Sequence, residues 1–182
     1  MTKELNKRIL SSILIIPIVL FFIIKGSIIF LFFLSLIFLL TCYEWIKMSK
    51  NNELIRIFGI FFMFFSFTTA YLIRENYNLN FIIIIITVCI FTDIGGYIFG
   101  KFFKGPKLTK ISPKKTYSGM IGSYILSFAV CFIFLINNLV TDNYIYLTLT
   151  SSLSQLGDLF ISWLKRQAKL KDTGTILPGH GG

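Results

Sequence analysis

Long apolar runs alternate with single charges or short charged clusters along the whole chain. Residues 9–24 lie between Arg8 and Lys25, 26–43 between Lys25 and Glu44, and 57–73 between Arg56 and Arg74. Three longer runs follow: 76–100, interrupted by Asp93; 116–141, without a charge; and 143–164, interrupted by Asp158. A helix that crosses the hydrocarbon of a bilayer needs about 17 to 25 mostly apolar residues, so the pattern predicts six transmembrane helices, the first near the short limit. The expected fold class is all-α, a polytopic integral membrane helical bundle. It forms one membrane domain over 1–182, with four helices in 1–100. A basic loop, helices 5 and 6 and a terminal loop fill 101–182.

Composition agrees: 55% of residues are apolar and the mean hydropathy is +0.77, values of a membrane chain rather than of a soluble core. Charge then sets the orientation. Of the 18 Lys and Arg residues, Lys3, Lys7 and Arg8 precede helix 1, and Lys47, Lys50 and Arg56 separate helices 2 and 3. Lys101, Lys104, Lys107, Lys110, Lys114 and Lys115 separate helices 4 and 5, and Lys165, Arg166, Lys169 and Lys171 follow helix 6. The opposite side has only Lys25 and Arg74. By the positive-inside rule both termini and both basic segments face the cytoplasm. Topology alone therefore accounts for the net charge of +10. Nucleic acid is excluded as a partner, because that would need a soluble basic face or a recognised module. The basic start resembles a signal peptide, yet no small-residue cleavage site follows, so the first helix is read as uncleaved. Cys42, Cys89 and Cys131 fall in apolar runs without pairing or metal spacing and read as packing residues.

Two carboxylates inside apolar runs ask for a reason, since each costs about 2.5 to 3.5 kcal/mol at a membrane centre. Asp93 precedes Lys101 by eight residues and Asp158 precedes Lys165 by seven, which puts both about 10 to 12 Å below a basic edge. They can line the floor of one pocket, or each can serve as polar glue between helices. Asp93 opens "DIGGYIFG", where Gly96 and Gly100 make a G-x-x-x-G stripe suited to close helix packing. On helical spacing, Gln155, Asp158 and Ser162 share one polar face, which must look inward. "KLTKISPKKTYSG" combines a proline turn, the adjacent Lys114 and Lys115, and hydroxyls at Ser112, Thr116 and Ser118. Its lysines are orientation signals or a phosphate site. The terminal "KDTGTILPGHGG" adds Lys171, Asp172 and the only histidine, His180, among four glycines, a mixture that suits a polyphosphate at a membrane surface.

These residues resemble the phosphatidate cytidylyltransferases, also called CDP-diacylglycerol synthases. The family signature S-x-x-K-R, then K-D, then a glycine-containing turn ending in H-G-G is matched by Ser162, Lys165, Arg166, Lys171, Asp172, His180, Gly181 and Gly182. Upstream, Q-x-G-D is matched at Gln155 to Asp158, D-x-G-x-Y at Asp93, Gly95 and Tyr97, S-P-K-K-T at Ser112 to Thr116, and "YEW" at Tyr43 to Trp45. The stretch from Trp45 to Asp93 is shorter than usual there and is expected to lack a helix or more. Ser118 and Ile161 stand where family members often carry glutamate. The family motif also continues past H-G-G to an Asp-Arg pair, a further aspartate and a last helix, so the chain is expected to be C-terminally truncated.

The resemblance implies transfer of a cytidylyl group from CTP to phosphatidic acid, in phospholipid biosynthesis, at the cytoplasmic face of a bacterial inner membrane. It implies Mg2+, with room for a second, monovalent cation, and leaves a homodimer open. Asp158 is expected to hold the metal and, with Lys165, Arg166, Lys171, Asp172 and His180, to form the catalytic set. Ser112, Lys114, Lys115, Thr116, Asp93 and Ser162 are expected to contact substrate. The alternatives are an inactive fragment or non-catalytic subunit of such an enzyme and an ion-coupled transporter. The transporter would place its site at the midplane between repeated halves, and no internal repeat is present.

Overall fold

The computed structural model describes residues 3–50, 52–109, 112–113, 115–136 and 144–167, with side chains from Ile13 onward except at 144, 145 and 147. Six helices account for most of them: α1 (Lys3–Lys25), α2 (Ser27–Met48), α3 (Glu53–Asn76), α4 (Leu79–Phe103), α5 (Tyr117–Ile136) and α6 (Tyr144–Gln167). Each covers one of the six apolar runs, and no strand occurs among the described residues. Helices α2, α3, α4 and α5 are long and apolar enough to span a bilayer. Helix α6 departs from that average because Thr148, Thr150, Ser151, Ser152, Ser154, Gln155 and Asp158 lie along it. Its polar content is paid back by contacts inside its own unit, described below. Large side chains such as Phe61, Phe62, Phe64, Phe65, Phe132 and Ile133 are exposed, as expected where the surrounding solvent is lipid and an outward Phe costs nothing. The protein is an all-α integral membrane protein.

The helices fall into two compact units, α1 to α3 and α4 to α6. In the first, Asn52 caps α3: its side-chain oxygen accepts from the Ile55 N–H at 3.1 Å, satisfying one of the helix's free donors. Trp45 near the end of α2 then packs against Gly59 of α3, and its indole N–H donates to the carbonyls of Ile55 and Arg56 at 3.3 and 3.2 Å. Gly59 is required here, because a Cβ would occupy the indole ring. At the other end of the unit Arg74 donates to the carbonyls of Ile23 and Ile24, at 2.6 and 3.1 Å, and the Glu75 carboxylate accepts from the Ser27 N–H at 2.7 Å. A cation thus closes the C-terminus of α1 while an anion closes the N-terminus of α2, the arrangement that both helix dipoles favour.

In the second unit α4 and α5 cross backbone to backbone. A Cβ on Gly95 would meet the Gly122 carbonyl and come within 2.9 Å of the Ser123 Cα, and one on Gly119 would lie 2.7 Å from the Gly96 carbonyl. The small-residue stripe of α4 therefore serves close helix packing. Below it sits a small apolar core of Ile84, Val88 and Cys131, covered by Phe134. Hydroxyls tie in α6: Thr92 donates to Ser151 at 2.9 Å, Ser127 to Ser151 at 3.3 Å, and Ser123 to the Thr92 carbonyl at 2.7 Å. Tyr124 and Ser152 share a further bond of 2.9 Å. All of these hydroxyls find partners within the unit, as buried polar groups in hydrocarbon must.

Candidate functional site

Among the described residues, the loop that follows α4 is folded back by backbone bonds. Leu108 N–H donates to the Lys115 carbonyl at 2.8 Å, Lys115 N–H to the Ser112 carbonyl at 3.0 Å, and Tyr117 N–H to the Pro106 carbonyl at 3.1 Å. An isolated antiparallel bridge pairs Lys107 with Thr116, and Pro113 occupies the turn. Thr116 is then the N-cap of α5, its hydroxyl oxygen accepting from the Gly119 N–H at 3.1 Å and sharing a 2.9 Å bond with Ser118. Ser118 in turn donates to the Lys104 carbonyl at 3.3 Å. The hairpin thereby fixes Lys115 at the start of α5, where the helix dipole already favours an anion.

Beneath this turn lies a cavity of about 270 Å³ built wholly from the second unit. Helix α4 contributes Thr92, Asp93, Gly96 and Tyr97; the loop contributes Leu108, Lys115 and Thr116. Helix α5 adds Gly119, Met120 and Ser123, and α6 adds Gln155, Asp158 and Leu159. Lys115 is ion-paired with Asp158 across it. The cavity thus gathers two carboxylates, one ammonium, a helix N-terminus and an amide, a donor set fitted to a phosphate together with a hard cation. Among the described residues no group of three or more His, Cys, Asp or Glu converges.

Of the twelve residues expected at the site, the cavity brings together Asp93, Lys115, Thr116 and Asp158, and it adds Gly96, Tyr97 and Gln155, which the sequence motifs had also picked out. Others stand outside its lining. Ser162 spends its hydroxyl on its own helix, donating to the Asp158 carbonyl at 2.7 Å. Lys165 and Arg166 occupy the last turn of α6, and Ser112 lies in the turn, with its N–H bound to the Thr109 hydroxyl at 3.2 Å. Lys114, Lys171, Asp172 and His180 lie outside the described residues. Sequence reasoning missed Thr92 and Ser123. A signal existed in the spacing: Val88, Thr92, Gly96 and Gly100 recur every four residues on α4, and Gly119, Ser123, Ser127 and Cys131 do so on α5. Two such stripes of small residues mark the faces that meet.

Fold and site together define a class: an all-helical membrane protein with a charged, phosphate-compatible cavity set into one of its helical units. The chain belongs to the cytidylyltransferase family, whose model matches residues 54–182. It is similar to the phosphatidate cytidylyltransferase of Rickettsia felis, at 33% identity over 192 residues, covering 99% of this chain and 85% of that one. The Rickettsia conorii phosphatidate cytidylyltransferase is 34% identical over 187 residues, covering 96% and 81%. That of Brucella suis is 39% identical over 132 residues, covering 68% of this chain and 48% of its own length. No solved structure matches the chain.

Proposed function

We propose that this chain transfers the cytidylyl group of CTP to phosphatidic acid, releasing pyrophosphate and leaving CDP-diacylglycerol in the membrane. The observation that carries the proposal is the cavity in which Lys115, Thr116 and the N-terminus of α5 face Asp93 and Asp158. Its family membership and its similarity to phosphatidate cytidylyltransferases support the same reaction. In that reaction an oxygen of the lipid phosphate attacks the α-phosphorus of CTP, a new P–O bond forms, and the bond to the bridging oxygen of pyrophosphate breaks. The nucleophile is already an anion, so positioning and charge neutralisation do most of the work.

Each residue then has a task. Lys115 and the positive end of the α5 dipole neutralise and hold a phosphate at the mouth of the cavity. Asp158 and Asp93 are the two carboxylates that would hold Mg2+, an ion commonly bound through one or two carboxylates with the remaining positions left to water and substrate phosphates. When bound it would supply Lewis-acid charge neutralisation at the phosphate oxygens. Lys165 and Arg166, on the turns of α6 above Asp158, attract the triphosphate without lining the cavity. Lys114 and Lys171 neutralise the triphosphate and the lipid phosphate, and Asp172 and His180 orient the terminal loop or contact the nucleotide, roles that rest on the sequence resemblance. The basic loop and the cavity mouth face the cytoplasm of a bacterial inner membrane, where a water-soluble nucleotide and a lipid phosphate can meet.

Purified protein in detergent, given labelled CTP, Mg2+ and phosphatidic acid, is expected to form labelled lipid. Asp158→Asn keeps the shape of the side chain and removes its charge, and it is expected to lower turnover at least one-hundred-fold, of the order that loss of a metal-held charge produces (about 3 kcal/mol). Near-normal turnover of Asp158→Asn would defeat the assignment.

A further inference from the structure

Most polar groups that line the cavity have protein partners. Thr92 is bonded to Ser151, Ser123 to the Thr92 carbonyl, Thr116 to the Gly119 N–H and Ser118, and Lys115 to Asp158. Gln155 differs. Its amide nitrogen is fully buried and has no hydrogen-bond partner, although the side chain lines the cavity. Buried amide donors are almost always satisfied, so an unsatisfied one beside a ligand-sized space points to a partner that the protein itself does not supply. Gln155 precedes Asp158 by three residues on α6, which puts it on the same face, about 4.5 Å deeper along the axis. At that depth it can reach a ligand oxygen that Lys115 at the mouth does not.

We propose that the Gln155 carboxamide is a substrate-positioning group that donates a hydrogen bond to a phosphate oxygen of the ligand held between Asp93, Lys115 and Asp158. This rests on the reading of the cavity as the CTP and phosphatidate site. The chemistry favours an amide here. Two carboxylates already stand in the cavity, and a neutral donor holds an anion beside them without adding charge, whereas a third carboxylate would repel it. The recipient is a phosphate of CTP or the phosphate of phosphatidate, which share this chemistry.

Gln155→Met, similar in length and without polar atoms, separates this role from a structural one. Removing a buried donor that has no partner is expected to leave the ligand-free melting temperature unchanged or raised. Ligand binding should weaken by roughly ten- to one-hundred-fold, the loss expected for one hydrogen bond to a charged group. The binding readout is thermal stabilisation of the detergent-solubilised protein, titrated separately with CTP plus Mg2+ and with short-chain phosphatidate; turnover of labelled CTP is measured alongside. The ligand whose curve shifts identifies the phosphate concerned, and Gln155→Asn, which retains the amide on a shorter arm, should recover part of the loss. Unchanged binding and turnover in Gln155→Met overturns the proposal, and so does a lowered ligand-free melting temperature with unaltered affinities. If the wild-type chain binds both ligands but makes no lipid product, the proposed reaction fails while the binding shift still decides the role of Gln155. If neither ligand stabilises the wild-type chain, both fall.

Discussion

Lys115 and Asp158 hold each other across the cavity, yet neither is deeply buried: their side chains are 26% and 56% exposed. A pair so exposed contributes little to stability, about 0 to 1 kcal/mol. Its place in the site is therefore the stronger reason for its existence. Lys115→Ala is expected to change the melting temperature by no more than a few degrees and to lower turnover by at least ten-fold, both read on purified protein. Combined with Asp158→Asn the losses should be less than additive, because the two side chains act on the same ligands. The sequence could name Asp158 because a carboxylate in an apolar run is conspicuous. It could not show that Lys115 reaches the cavity, since that depends on the backbone bonds that fold the loop back between Pro106 and Tyr117. Leu108, Met120 and Leu159 were equally illegible, being apolar residues in apolar surroundings.

At the scale of elements the cavity depends on how closely α4 and α5 approach. Thr92, Asp93 and Gly96 on one helix and Gly119, Met120 and Ser123 on the other all line it. Gly95→Ala would drive a methyl group into the Gly122 carbonyl and the Ser123 Cα, backbone atoms that have no rotamer to escape into. The helices must separate, so both a lower melting temperature and a loss of turnover are expected. Gly157 on α6 is the contrasting case, because a Cβ there meets nothing within 4 Å. Gly157→Ala should be neutral or stabilising, by up to about 1 kcal/mol from helix propensity, although it adjoins Asp158. The same thermal measurement compares the two. A third substitution, Thr116→Ala, removes the N-cap of α5 and is expected to cost about 0.5 to 2 kcal/mol.

Over the whole molecule, all six helices were legible because charges bracket the apolar runs, and the helix limits follow those charges within a few residues. The division into units of α1 to α3 and α4 to α6 was not, since no linker or change of composition marks residue 79. The site lies in the second unit alone, and its hydroxyl network was hidden because serine and threonine are common in membrane helices and only their partners reveal a purpose. Orientation can be checked directly. In a background lacking Cys42, Cys89 and Cys131, Lys107→Cys is expected to react with a membrane-impermeant thiol reagent only from the cytoplasmic side. Labelling from the other side would put the Lys115 turn out of reach of CTP.

Arg74 and Glu75 add a matter of timing. The corner between α1 and α2 takes its caps from residues about fifty positions later in the chain. During synthesis, that hairpin enters the membrane before its own closing groups exist. Until the ribosome has passed residue 75 and α3 has brought its far end across, the Ile23 and Ile24 carbonyls and the Ser27 N–H must be served by interfacial water. The first unit is therefore secured from its last helix backwards, and a ribosome stalled before Arg74 would leave the membrane with a corner that nothing in the nascent chain can lock.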